Sequence, residues 1–358
     1  GERHAASGPK GALLPLCSLA LSSMPLTLSE IEDIQADLMA DDVEIDFEKM
    51  KLWDADQVTY YFENGGAEPP GEWTPPPCVP LTPVDDATFK KWFPKWKPPA
   101  ATPKFRLVCF HNAGSAESNY TGKGLRMPND NPFVVACNER GGELLAVELP
   151  GRESRRAEPR YRTLSVAAEA LFPVLAPKLN ESVPYVVVGH SMGTWMLFET
   201  LKLLMARGVR LPEQVVVSSF PAPSLPAAKR PWRANKGMDD DAFKEECRTW
   251  SVNEVVFSAG MWTKGPNYEA LMRDDFTLFD AYEYAPAVAP QLPMPVSAYY
   301  ARDDKNVKES HVATWKDMTC KDFRLEEVPG NHLFFYQYDV QGFQAGGGAG
   351  EPPLLLPV

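Results

Sequence analysis

Val186-Val187-Val188-Gly189-His190-Ser191-Met192-Gly193-Thr194-Trp195 is the stretch on which the fold turns. A β-branched run ends in Gly-His-Ser-Met-Gly and passes into a helical pattern from Trp195 to Arg207, closed by Gly208. In that strand–turn–helix context a G-x-S-x-G motif reads as a nucleophile elbow, with Ser191 on a strained turn and its hydroxyl exposed above the sheet edge. Glycines on both flanks let strand and helix approach. The plain alternative is an ordinary strand-to-helix turn that carries a serine.

Outward from the elbow, apolar segments alternate with helical ones. Phe105–Phe110 reads as a strand that exits through His111-Asn112-Ala113-Gly114-Ser115, and Gly142–Leu149 as a second that exits through Pro150-Gly151-Arg152-Glu153. A helix over about 163–179 leads to the elbow strand. Gln214–Phe220, Pro295–Tyr300 and Phe323–Val328 complete six strands. This alternation predicts an α/β fold with a mostly parallel sheet and helices on both faces, and the unbroken apolar strands fit burial on both sides. Residues 221–293 interrupt the alternation with a helical insertion dense in Met and aromatic side chains. Met261, Trp262, Met272 and Phe276 are its candidates for lining an apolar substrate channel. A small subdomain with its own core is the competing reading, and the two are compatible.

A serine nucleophile needs a base and a group that orients the base. Five histidines are available: His4, His111, His190, His311 and His332. The chain order Ser, acid, His of α/β-hydrolases places the base at His332, in Val328-Pro329-Gly330-Asn331-His332. The acid belongs in the loop Ala301-Arg302-Asp303-Asp304-Lys305-Asn306-Val307. Both aspartates are candidates, and Asp304 is preferred because a D-x-x-V loop suits the end of such a strand. The backbone N–H of Met192 and one from the first strand's exit loop, Ala113, are the candidate oxyanion donors.

The chain has 358 residues and a formal net charge of −12, which argues against nucleic acid and against an anionic membrane as the main partner. No apolar stretch reaches spanning length. Six scattered cysteines without a framework suit free thiols in a reducing compartment, and a cytoplasmic location is expected. Gly11–Ser23 has the shape of a short signal-peptide core, while Met24 offers an alternative start, so residues 1–23 read as a leader or an untranslated segment. Residues 24–66 form an acidic helical appendage; Asp54, Gln57 and Trp53 supply a capping box and staple for a helix that Gly65 and Gly66 stop. Residues 67–103 are proline-dense and predict a stiff extended linker, with Trp92, Phe93 and Trp96 as contact points on the following domain.

These motifs together resemble a known family. CFHNAGSAESNY (109–120), VELPGRESRRAEP (147–159), VVVGHSMGTWMLFE (186–199), LMRDDFTLFDAYEY (271–284), ARDDKNV (301–307), ATWKDMT (313–319) and VPGNHLFF (328–335) run in the order found in type II thioesterases of polyketide and nonribosomal peptide synthases, and in the related medium-chain acyl thioesterases of fatty-acid synthesis. The resemblance covers about two-thirds of the chain. It implies an α/β-hydrolase domain over 104–342, a triad of Ser191, Asp304 and His332, and a lid over the acyl channel. It also implies hydrolysis of acyl thioesters carried on the phosphopantetheine of an acyl carrier protein, or on CoA. No metal or redox cofactor is implied. A monomer is expected, with a synthase complex as a possible partner, and Arg152, Arg155, Arg156, Arg160 and Arg162 form a basic cluster where an acidic carrier could dock. Two departures stand out. The usual His-Ala-Gly-Gly loop is here Asn112-Ala113-Gly114-Ser115, and the family's last helix is replaced by a Gly/Pro-rich tail over 343–358. The rival readings are an acyltransferase built on the same elbow and an inactive hydrolase fold that serves as a binding domain.

Overall fold

The computed structural model describes residues 27–334 except 41, 52, 54, 67–73, 123–130, 259, 265–266 and 285–290. The chain divides into two compact units, one ending at Trp73 and the other beginning at Thr74.

Among the described residues, the first unit holds three short helices, α1 (Leu28–Asp37), α2 (Phe47–Met50) and α3 (Ala55–Glu63). Thr27 and Glu30 form a reciprocal capping box at the start of α1. Ile31, Met50, Val58 and Phe62 bury themselves together as a small core, against which Trp53 packs. The Asp54 cap expected for α3 lies outside the described residues. Residues 27–66 hold twelve acidic side chains and two lysines, so most of the chain's net charge sits here and the remainder is close to neutral.

The second unit is built on six parallel strands: β1 (Phe105–Phe110), β2 (Gly142–Ala146), β3 (Tyr185–His190), β4 (Gln214–Ser218), β5 (Val296–Ala301) and β6 (Phe323–Val328). Their order in the sheet is β2-β1-β3-β4-β5-β6. The chain first steps outward from β1 to β2, then returns past β1 to β3 and continues in the other direction. The order therefore reverses between β1 and β3, and the crevice beyond their carboxyl ends is where open α/β sheets bind ligands. Register across that pair puts Phe110 opposite Gly189, so the exit loop of β1 and the elbow after β3 emerge side by side. Leu107, Val108, Cys109, Val187 and Val188 are almost fully buried, as strands covered on both faces require.

Helices α5 (Ser118–Thr121) and α6 (Pro132–Arg140) lie between β1 and β2, α7 (Leu164–Leu179) precedes β3, and α8 (Met192–Ala206) follows it. Among the described residues, the insertion between β4 and β5 carries the α-helices α9 (Asp240–Thr249), α10 (Glu254–Ser258) and α11 (Tyr268–Asp280), and α12 (Glu309–Val312) lies between β5 and β6.

The proline-dense segment departs from the expectation of an extended linker. It contains α4 (Asp86–Trp92), started by Asp85, whose carboxylate accepts from the Thr88 amide at 2.8 Å. Phe89, Trp92 and Phe93 are buried, the Trp96 indole donates to Glu143 at 2.7 Å, and the Glu148 amide donates to the Trp92 carbonyl. That last bond also explains why β2 stops at Ala146 rather than Leu149: the chain leaves the sheet to pair with the α4 end.

Candidate active site

Ser191 sits at φ 52°, ψ −131°, a backbone conformation unfavourable to any residue with a Cβ. Its amide donates to the Ser218 carbonyl on β4 at 2.9 Å, which ties the strained turn to the neighbouring strand. A Cβ on Gly193 would stand 2.2 Å from the Phe110 carbonyl oxygen and 2.7 Å from that of His111. The flanking glycine is thus required because α8 starts directly against the end of β1.

His332 lies between Ser191 and Asp304. Its Nε2 is 2.9 Å from the Ser191 hydroxyl and its Nδ1 is 2.7 Å from Asp304 Oδ2. The other carboxylate oxygen of Asp304 accepts from the Asn306 and Val307 amides, each at 3.0 Å, which is the work of the D-x-x-V loop. Burial pushes the Asp304 carboxyl up, but His332 and the two loop amides outweigh it and hold the group below the usual carboxylate range. Asp304 is fully buried, whereas Asp303 is exposed and its backbone amide donates to the Gly330 carbonyl. Trp250, at the end of α9, meets the His332 ring edge-on at 4.7 Å.

The other histidines have separate tasks. His190 turns its Nδ1 to the Ser218 hydroxyl at 2.9 Å. Burial, and then the charge of His332, pushes the His190 imidazole well below its ordinary value, so it is neutral. His111 hydrogen-bonds the Asn112 carbonyl, and burial with the nearby Arg152 brings it down to about 3. His311 Nδ1 accepts from the Lys308 amide.

Beside the serine lies a cavity of about 230 Å³ with one polar end and one apolar wall. Asn112–Ser115, Ser191 and His332 form the polar end, while Trp250, Met272, Phe276, Phe279 and Leu333 supply the wall. Ala113 borders the cavity. The amide of the next residue, Gly114, is donated to Asp275 at 2.8 Å. Met192 opens α8 as its first residue, so its N–H is one of the helix's unpaired leading donors.

Of the four insertion residues singled out from composition, Met272 and Phe276 line the cavity and Met261 and Trp262 do not. The Trp262 indole N–H donates to Asp240 on α9 at 2.5 Å, and its ring packs on Phe243 and Phe257. It serves the core of the insertion, and Met261 beside it is half-buried outside the cavity. Four arginines of the basic cluster have internal partners, while Arg156 is exposed and the Arg162 side chain remains 76% exposed. Arg152 forks onto Asp275 of α11, Arg155 donates to the Glu148 carbonyl and stacks on Trp92, and Arg160 and Arg162 both grip Asp274. The sequence assigns no role to Asp275, although it lies within LMRDDFTLFDAYEY, or to Trp250 among the insertion's aromatics; both gain their places only when the insertion folds back over the sheet.

Among the described residues, Glu117, Glu148 and Glu153 bring carboxylate oxygens within 4.8 Å of one another, the one such grouping of potential metal ligands. Hydroxyls already serve this cluster: Thr121 donates to Glu117, Ser154 to Glu148 and Ser118 to Glu153. Among the described residues, no helix is long and apolar enough to cross a membrane.

The thioesterase-domain family model matches residues 105–342, the whole of the sheet and the insertion. The chain belongs to the thioesterase family. Its reaction is the hydrolysis of acyl thioesters. This thioesterase is 32% identical over 238 residues to thioesterase PikA5 of Streptomyces venezuelae, a match that covers 66% of this chain and 77% of that one. It is 26% identical over 250 residues to the gramicidin S biosynthesis protein GrsT of Aneurinibacillus migulanus, covering 69% and 89%. Among solved structures, the type II thioesterase BorB from the borrelidin biosynthetic cluster superposes with a TM-score of 0.56 at 28% identity, over 70% of this thioesterase and 95% of BorB.

Proposed function

We propose that the chain is a serine thioesterase that clears acyl groups from the phosphopantetheine arm of an acyl carrier protein, or from CoA, through an acyl-enzyme on Ser191. The observation that carries this reading is the unbroken relay from Asp304 through His332 to the Ser191 hydroxyl, which lines a cavity with an apolar wall. Relatives named for gramicidin S biosynthesis and for the borrelidin cluster support carrier-bound substrates.

In the first half-reaction, His332 Nε2 takes the Ser191 proton as the oxygen attacks the thioester carbonyl. The C–S bond then breaks, and the thiol leaves with the proton from His332. Asp304 accepts the Nδ1–H throughout, fixes the tautomer that leaves Nε2 basic, and stabilises the imidazolium. Met192 and Ala113 amides receive the oxyanion. In the second half-reaction, His332 deprotonates water, which attacks the ester carbonyl; the bond to the Ser191 oxygen breaks, His332 returns its proton to that oxygen, and the free acid leaves. The chain's own side chains and water carry every proton in this scheme.

A serine-directed fluorophosphonate tests it. Labelling of the wild type and none of Ser191→Ala is the expected outcome, together with free acid released from an acyl-pantetheine thioester. Labelling that persists in Ser191→Ala contradicts the nucleophile, and transfer of the acyl group to an added thiol without free acid contradicts hydrolysis in favour of an acyltransferase.

A further inference from the structure

We propose that Asp275 and Arg152 are positioning residues that set the oxyanion donor through the lid. The proposal rests on the reading of Ala113 as that donor. Asp275 lies on α11, 1% exposed, one turn after Met272 and beside Phe276, so the helix that builds the cavity wall also presents this carboxylate inward. Its Oδ2 accepts the Gly114 amide at 2.8 Å and shares Arg152 Nη1 at 3.0 Å, while Oδ1 accepts Arg152 Nη2 at 2.8 Å. Arg152, 4% exposed, also donates to the Ser115 carbonyl at 2.9 Å. The loop that follows β1 is therefore held at two nearby peptides, 113–114 by a carboxylate on the Gly114 N–H and 115–116 by a guanidinium on the Ser115 C=O.

Ala113 is the residue just before this double grip. Orienting the Gly114 amide at Asp275 fixes the peptide plane on the C-terminal side of Ala113; the Ala113 N–H lies in the preceding plane, joined to it through one Cα, so its aim is limited to what the Ala113 φ and ψ allow from that anchor. Gly114 has φ +71°, and a Cβ there would fall 2.0 Å from Met272 Sδ, so the loop backbone packs directly on the Met272 side chain of α11. Any displacement of α11 is thereby transmitted to the donor. Because both ions are buried, the fork holds one geometry where a surface pair would fluctuate. Lid position and oxyanion geometry are one coupled element, and a substrate that seats badly against Met272 and Phe276 lowers the rate as well as the affinity.

The test separates positioning from bulk stability. In Asp275→Asn the pairing charge is lost, and in Arg152→Lys the charge remains without the fork. The double variant Arg152→Met/Asp275→Leu removes both ions, which relieves the buried unpaired charge that single removals create. The expected result is a kcat loss of about a hundredfold in Asp275→Asn and in the double variant, the scale of one lost oxyanion donor, with KM within about threefold of wild type. The double variant regains thermal midpoint relative to Asp275→Asn but not kcat, and Arg152→Lys loses about tenfold in kcat with its midpoint kept. A second readout is the ratio of kcat/KM for a thioester over the matching dithioester, whose C=S is a poor oxyanion acceptor. That ratio falls in all three variants if the donor is misplaced. Recovery of kcat together with the midpoint, or an unchanged ratio in whichever of these variants folds, overturns the proposal. Ser191→Ala, assayed beside them, distinguishes the two failures: activity surviving there undoes the serine reading itself, whereas an inactive Ser191→Ala with full-rate Asp275 variants undoes only the positioning role.

Discussion

Replacing Asp304 by Asn probes the part of the site that sequence left open. The substitution keeps the volume and keeps an oxygen for the Asn306 and Val307 amides, both at 3.0 Å, so the loop retains its hydrogen bonds. The amide nitrogen then faces His332 Nδ1 across the 2.7 Å gap that the carboxylate now spans. A donor at that position selects the tautomer with the proton on Nε2, and the nitrogen 2.9 Å from Ser191 can no longer accept the serine proton. Wrong-tautomer substitutions of this kind lower kcat by about 10⁴, or about 5.4 kcal/mol at 1.36 kcal/mol per decade. Hydrolysis of an acyl-pantetheine thioester, followed by release of free thiol, measures it, with Asp303→Asn as the matched control. Asp303 is exposed, and its variant is expected within about twofold of wild type. Retention of more than a tenth of kcat in Asp304→Asn, or an equal loss in Asp303→Asn, refutes the reasoning.

Gly193→Ala drives a methyl onto the Phe110 carbonyl at 2.2 Å, and backbone cannot give way there; a loss of about 3 kcal/mol or more, or failure to fold, is expected by thermal denaturation. Phe276→Ala removes a ring packed on Phe243, Trp250 and Phe279 and is expected to cost about 3–5 kcal/mol in denaturant unfolding while shifting kcat/KM toward longer acyl chains. A cost under about 1 kcal/mol contradicts that packing role. Burial raises the Glu117 carboxyl to about 7, so the folded state binds its proton more tightly than the unfolded chain. That contribution to stability is complete below about pH 4.5 and is lost as pH rises through about 7. Glu117→Gln should therefore be more stable than wild type at pH 8 than at pH 5, by on the order of 2 kcal/mol or about 4–8 °C in thermal midpoint.

Periodicity and turn chemistry made the six strands and the elbow readable, because Val-rich runs and Gly-x-Ser-x-Gly carry local signals. Strand order did not follow from them, since pairing depends on contacts far apart in the chain. The helix α4 was hidden by proline density around it, although Asp85 marks its start and Phe89 and Trp92 its buried face. Helix α6 went unread despite Asn131-Pro132 at its start and a left-handed Gly141 at its end. The choice between Asp303 and Asp304 needed burial, which adjacent residues of one type do not reveal. Composition alone selected Met261 and Trp262 along with Met272 and Phe276, and only the fold of the insertion separates the two pairs. That Arg152, Arg160 and Arg162 are paired was not legible, because their partners, Asp274 and Asp275, lie more than a hundred positions away. The expectation of a missing final helix concerns residues beyond 334, outside the described ones.

The most direct test of the central claim is intact-mass analysis of the protein quenched in acid within milliseconds of mixing with an acyl-pantetheine thioester. The account predicts an adduct of one acyl group on the peptide that contains Ser191, decaying to free acid as water resolves it and absent from Ser191→Ala. Turnover to free acid with the acyl group on another residue, or with Ser191→Ala as active as wild type, would contradict it.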